Sequence, residues 1–113
     1  MAGPLRGEVW LADLDPVRGH EQAGSRPALV ISDDLFNQGP ADLIIVIPIT
    51  GARRGIPSHV RVKPPEGGLK KESYIMSEAI RSVAKSRLSR KLGQVSGRTI
   101  LEAEDCLRIL LNL

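Results

Sequence analysis

The run Leu43-Ile44-Ile45-Val46-Ile47-Pro48-Ile49 is the most β-prone stretch of the chain, because branched apolar side chains pack well on a pleated surface. Pro48 has no N–H to give a ladder, so this end of the strand is expected at a sheet edge or leaving the ladder. Thr50 stands at the strand exit, ahead of the loop Gly51-Ala52-Arg53-Arg54-Gly55-Ile56-Pro57. Upstream, Pro27 to Ser32 is almost wholly apolar and reads as a strand buried on both faces. Gly7 to Leu14 is a first strand, closed by the turn signal Asp15-Pro16, and Asp33 to Pro40 carries residues that favour turns or a short helical excursion. Downstream, His59 to Val62, Ser73 to Met76 and Ile80 to Ala84 are short strands, with a turn at Pro64-Pro65-Glu66-Gly67-Gly68. Arg87 to Gly93 reads as a basic connector anchored by Leu88 and Leu92. From Gly97 to Leu111 the period changes: Ile100, Ala103, Leu107 and Leu110 recur at helical spacing behind the N-cap candidate Ser96. Five or six short strands and one C-terminal helix predict a mainly β fold, a small, strongly curved antiparallel sheet or partial barrel capped by the helix.

Composition narrows the function classes. A length of 113 residues predicts one domain over residues 1–113, with a modest core. At 42% hydrophobic and 26% charged the chain is globular rather than disordered, and at 3% aromatic its core must rest on Leu, Ile and Val. So few aromatics also exclude the stacking platforms of many single-strand binders. One cysteine, Cys106, precludes an internal disulfide, and two histidines beside it cannot build a zinc cluster. No apolar run approaches transmembrane length, which leads to the expectation of a soluble cytoplasmic protein with no membrane partner. The net charge is +3, and the excess lies in the second half of the chain, beyond residue 56. A basic half suggests a polyanionic partner, nucleic acid first.

Between the first two strands lies Arg18-Gly19-His20-Glu21-Gln22-Ala23-Gly24-Ser25-Arg26-Pro27. Loops held by a rigid scaffold are where sites are built, and this one concentrates arginine, histidine, glutamate and glutamine. Pro27 restricts Arg26 to extended conformations, so that side chain leaves the loop at a defined angle.

Arg6-Gly7-Glu8-Val9-Trp10, Leu14-Asp15-Pro16, Arg18-Gly19-His20-Glu21-Gln22 and Gly24 with Arg26-Pro27 resemble the opening of the MazF/PemK toxins. The likeness continues through Phe36-Asn37, Pro48-Ile49-Thr50, Gly67-Gly68-Leu69 with Ser73, Glu78, Ile80-Arg81, Arg87-Leu88 and Leu92-Gly93, in order along nearly the whole chain. The resemblance implies an SH3-like barrel with a C-terminal helix and a homodimer. It also implies metal-independent, cofactor-free endoribonuclease action on single-stranded RNA, mRNA above all. A cognate antitoxin would lay a disordered acidic tail across the active surface. The family's key arginine falls on Arg26 and its key threonine on Thr50; some members are discussed instead with His20, Glu21 and the acid matching Glu78. Certain members carry an arginine two positions before that acid, where this chain has Met76, so a scheme resting on it is not carried over.

RNA carries its own nucleophile, the 2′-hydroxyl beside the scissile phosphate. Cleavage therefore needs that hydroxyl oriented and deprotonated, the phosphorane charge stabilised and the 5′-oxygen assisted, leaving a 2′,3′-cyclic phosphate and a 5′-hydroxyl. Arg26 suits the charge, since a guanidinium grips two phosphate oxygens and stays protonated. Thr50 can donate to a phosphate oxygen from a fixed strand end. Glu21, Glu78 and His20 are the candidates for proton removal, with Glu78 alternatively paired to Arg81 or Lys85. Arg18, Gln22, Arg53, Arg54, Arg81, Lys85 and Arg87 are candidate RNA contacts. His59 has no visible partner, Cys106 reads as packing, and Trp10 as core. A non-enzymatic binder on the same barrel, such as a gyrase-poisoning toxin, would need only a protein-contact surface; a catalytically dead RNA-binding module would bind without cutting.

Overall fold

The computed structural model describes residues 3–14 and 25–113. It contains strands β1 (Glu8–Asp13), β2 (Ser25–Val30), β3 (Leu43–Thr50), β4 (His59–Val62), β5 (Ser73–Met76), β6 (Arg81–Ala84) and β7 (Leu88–Gln94), with a one-turn helix α1 (Asp34–Asn37) and the C-terminal helix α2 (Gly97–Leu111). All pairings are antiparallel, in the order β4-β5-β3-β2-β1-β7, and β6 adds to β3. The sheet does not close, so the expected barrel is an open one, and among the described residues it has seven strands rather than five or six.

Two features differ from the sequence expectation. The stretch read as a basic connector is β7, which borders β1 along the register Glu8↔Gln94 to Ala12↔Leu88 with two irregularities. Pro48 lies inside the most heavily paired strand rather than at an edge. On one flank β3 pairs with β6 through residues 43–46 and with β5 through residues 49–50, so the break between them falls at Ile47 and Pro48. A proline is tolerated there because no ladder hydrogen bond is needed on that flank.

Strand alternation sorts the apolar run of β3 and its neighbours into two cores. Leu29, Ile47 and Ile49 join Val9, Val60, Val62, Ile75 and Val95 on the face covered by α2, which contributes the fully buried Ala103 with Ile100, Cys106 and Leu107. Ala28, Val30, Ile44 and Val46 pack on the other face with Ala12 and Val83, flanked by Trp10, Leu14 and Leu88. Each such fully buried Leu or Ile contributes about 2 kcal/mol, which is why a chain so poor in aromatics still folds.

Three carboxylates fasten the periphery. Glu8 accepts hydrogen bonds from the Leu5 amide and the Trp10 indole, each 2.9 Å, and pairs with Lys91 at 3.0 Å. Glu66 accepts from the Ser96 amide and the Thr99 hydroxyl, anchoring the start of α2, where the Ser96 hydroxyl also caps the Thr99 amide. Glu78 accepts from Ser58 and pairs with His59. Burial alone would raise each of the three pKa values, but these hydrogen bonds and cations outweigh it, and all three lie below the ordinary 4.5. A depressed folded-state pKa contributes stability that is complete above the unfolded value and is lost as pH falls through the folded one. The thermal midpoint is therefore expected to hold above about pH 5 and to fall steadily toward about pH 3. Glu8→Gln and Glu66→Gln should flatten that fall; a midpoint flat across this window would refute the assignment.

Candidate active site

Arg26 belongs to β2, opposite Ala12 of β1, rather than to the loop before it. Strand pairing thus holds its backbone as well as Pro27 does. The β2–β3 register runs Val30↔Val46, Leu29↔Ile47 and Ala28↔Pro48. Continued by two residues, it sets Arg26 across from Thr50. Both then stand at the same end of the β2–β3 pair, beyond its last paired residues Ala28 and Pro48.

The two side chains line one cavity of about 550 Å³. Its other polar walls are Ser25, Lys70, Lys71, Ser73 and Arg90, with Ile49, Leu69 and Leu92 among its apolar lining. None of its described lining residues is acidic, and no described carboxylate pairs with Arg26, Lys70, Lys71 or Arg90. A concave surface with cations and no described counter-ion suits a phosphodiester. The Thr50 hydroxyl accepts the Ala52 amide at 3.1 Å. Its oxygen being so engaged, the O–H is left to donate to a ligand oxygen in the cavity.

Other expected site residues fall elsewhere. Glu78 sits just past the Met76 end of β5, whereas Thr50 pairs with Tyr74 near the other end, and Glu78 does not line the cavity. Neither Arg81 nor Lys85 is its partner: Ser58 donates to one carboxylate oxygen and His59 Nε2 lies 2.7 Å from the other. His59, expected to be unpartnered, thus has a buried side chain that holds the end of the β3–β4 connection. The lowered pKa of Glu78 moves it away from the neutral range that a general base favours. Arg81 donates to the Leu14 carbonyl at 2.7 Å and Arg87 to the Asp13 carbonyl at 3.2 Å, so both brace the chain end from which the polar loop departs. Arg53 and Arg54 are exposed in the connection that follows Thr50, and Lys85 lies in the turn between β6 and β7. Arg18, His20, Glu21 and Gln22 lie outside the described residues.

Lys70, Lys71 and Arg90 were not singled out from the sequence. The available signal was a lysine pair one residue beyond the double glycine Gly67-Gly68, a bend that comes close to β7. Arg90 was hidden because its strand lacks an apolar alternation.

Comparison with known proteins extends this geometry. Residues 5–111 match the model of the PemK-like, MazF-like toxin of type II toxin–antitoxin system. The chain is 40% identical over 110 residues to endoribonuclease MazF of Staphylococcus saprophyticus, covering 96% of this chain and 91% of that one. The crystal structure of MazF from Deinococcus radiodurans superposes with a TM-score of 0.83 at 28% identity, covering all of both chains. A mycobacterial endoribonuclease in complex with its cognate antitoxin gives a TM-score of 0.81 at 28% identity, over 98% of this chain and 97% of that one.

Proposed function

The chain belongs to the PemK-like, MazF-like toxins of type II toxin–antitoxin systems, and we propose that this endoribonuclease toxin, inhibited by a cognate antitoxin, cuts single-stranded RNA, mRNA above all, in the Arg26–Thr50 cavity. The observation that carries the reading is the convergence of Arg26 and Thr50 in a cavity walled by cations. Arg26 grips the non-bridging oxygens of the scissile phosphate and stabilises the charge that grows on them as the 2′-oxygen attacks. Thr50 donates to one of those oxygens. The 2′-hydroxyl proton goes to a base, for which the resemblance nominates Glu21 or His20. Products are a 2′,3′-cyclic phosphate and a 5′-hydroxyl. The same cationic walls suit an acidic antitoxin segment, which would compete with RNA for them. A non-enzymatic binder on this fold would have no use for the Arg26–Thr50 pair.

Incubation of the purified chain with a long mixed-sequence RNA in excess EDTA tests the reading. Discrete cuts with cyclic-phosphate ends are expected; intact RNA would defeat it. Its mRNA substrate places the toxin in the cytoplasm, where cell fractionation should recover it, and no helix among the described residues is long and apolar enough to cross a membrane.

We further propose a homodimer. Leu101, Ile109, Leu110, Leu111 and Leu113 expose apolar surface on and beyond α2, and Leu35 and Leu43 add to it. Sedimentation at micromolar concentration should give twice the chain mass of 12.3 kDa, and a clean monomer would refute it.

A further inference from the structure

The tail of Lys71 lies across Gly51. A Cβ built on Gly51 would stand 2.4 Å from Lys71 Cε and 2.7 Å from Nζ. Gly51 is not among the residues with positive φ, so its backbone does not demand glycine. The missing side chain is space that the lysine occupies. Gly51 follows Thr50 directly, and both line the cavity with Lys71. The base of the lysine is held as well: the buried Ser73 donates its hydroxyl to the Lys71 carbonyl at 2.9 Å. An exposed lysine with no described carboxylate to pair with is thus lodged beside Thr50 by a glycine and a buried serine.

Resting on the cleavage reading above, we propose that Lys71 is the general acid that protonates the departing 5′-oxygen. As the 2′-oxygen forms its bond to phosphorus, the phosphorus–5′-oxygen bond breaks, and the ammonium passes one proton to that oxygen. The base keeps the proton taken from the 2′-hydroxyl; it returns that proton to water, and the amine takes one back from water, so the cycle closes without a co-reactant. The assignment follows from what each wall can give. Arg26 and Arg90 end in guanidinium groups, which as a class are poor proton donors, whereas a lysine ammonium can surrender a proton. Thr50 can relay a proton but is no net source. Of the two lysines, Lys71 is the one whose tail is lodged beside Thr50.

The test uses an oligoribonucleotide spanning a mapped cut site, and the same oligonucleotide with sulfur in place of the scissile 5′-oxygen. A thiolate leaves without protonation. On the oxygen substrate Lys71→Met should lower kcat about 100-fold with KM little changed. On the sulfur substrate it should return to within a few-fold of wild type. Lys71→Arg keeps the charge but not the transferable proton and should stay impaired on oxygen. Gly51→Ala keeps the lysine but displaces its tail, and should show a smaller loss with the same sulfur rescue. Wild-type kcat for Lys71→Met on oxygen, or an equal loss on both substrates, would overturn the proposal. Arg26→Ala separates the two readings: if it cuts like wild type, the cavity reading itself is wrong. If it is inactive while Lys71→Met is unaffected, only the role of Lys71 fails.

Discussion

Arg26→Ala is expected to abolish RNA cleavage while leaving the fold intact. Losing one preorganised donor to a developing oxyanion costs about 10²–10³ in rate, and Arg26 supplies two donors and a full charge, so the loss should reach at least about 10³. The side chain is exposed at the start of β2, where truncation changes stability by no more than about 0.5 kcal/mol. Lost activity could not then be ascribed to unfolding. Arg26→Lys should recover only part of the rate, because an ammonium matches the charge but not the two-pronged geometry. End-mapped cleavage of the mixed-sequence RNA provides the readout, with thermal unfolding alongside. An Arg26→Ala protein retaining a tenth or more of the wild-type rate would remove the arginine from the centre of the mechanism.

The second large effect is on stability. Gly68 has φ +69, and a Cβ there would lie 1.9 Å from the Leu92 carbonyl oxygen and 2.4 Å from its carbon. The opposing backbone is equally close, since a Cβ on Gly93 would stand 2.6 Å from the Gly68 amide nitrogen. Neither obstacle is a flexible side-chain tip, so the turn and β7 would have to part. The left-handed conformation alone costs an L-residue about 1–2 kcal/mol. With the clash added, Gly68→Ala should cost at least about 3 kcal/mol, a large share of a typical 5–15 kcal/mol. The thermal midpoint should drop by roughly 10 °C or more. Gly55→Ala is the control, because Gly55 has φ +65 but nothing within 4 Å of its Cβ position. It should cost only the conformational penalty. Equal midpoints for the two variants would show that the Gly68–Gly93 approach is not as tight as described. Since Gly68 lines the cavity with its neighbours Leu69, Lys70 and Lys71, the same substitution should also impair cleavage.

Local pattern alone determined a good part of this protein. The helix over Gly97–Leu111 with its Ser96 cap, and the strands at Glu8–Asp13, Leu43–Thr50, His59–Val62 and Ser73–Met76, lie where period and turn signals put them, within a residue or two. These elements depend on contacts between residues a few positions apart, and such contacts leave a mark in sequence spacing. The ordered motifs from Arg6 to Gly93 likewise carried the family and, through it, Arg26 and Thr50. Tertiary structure decided the rest. Ser89, Arg90 and Lys91 have no apolar alternation, and only pairing with β1 makes them part of a strand. Pro48 sits mid-sheet because β3 changes partners at that point. His59 finds Glu78, and Lys71 lies over Gly51, through contacts between segments far apart in the chain. Spacing along a sequence records a side chain's periodicity; which distant backbone it will meet is set by strand register and the curl of the sheet.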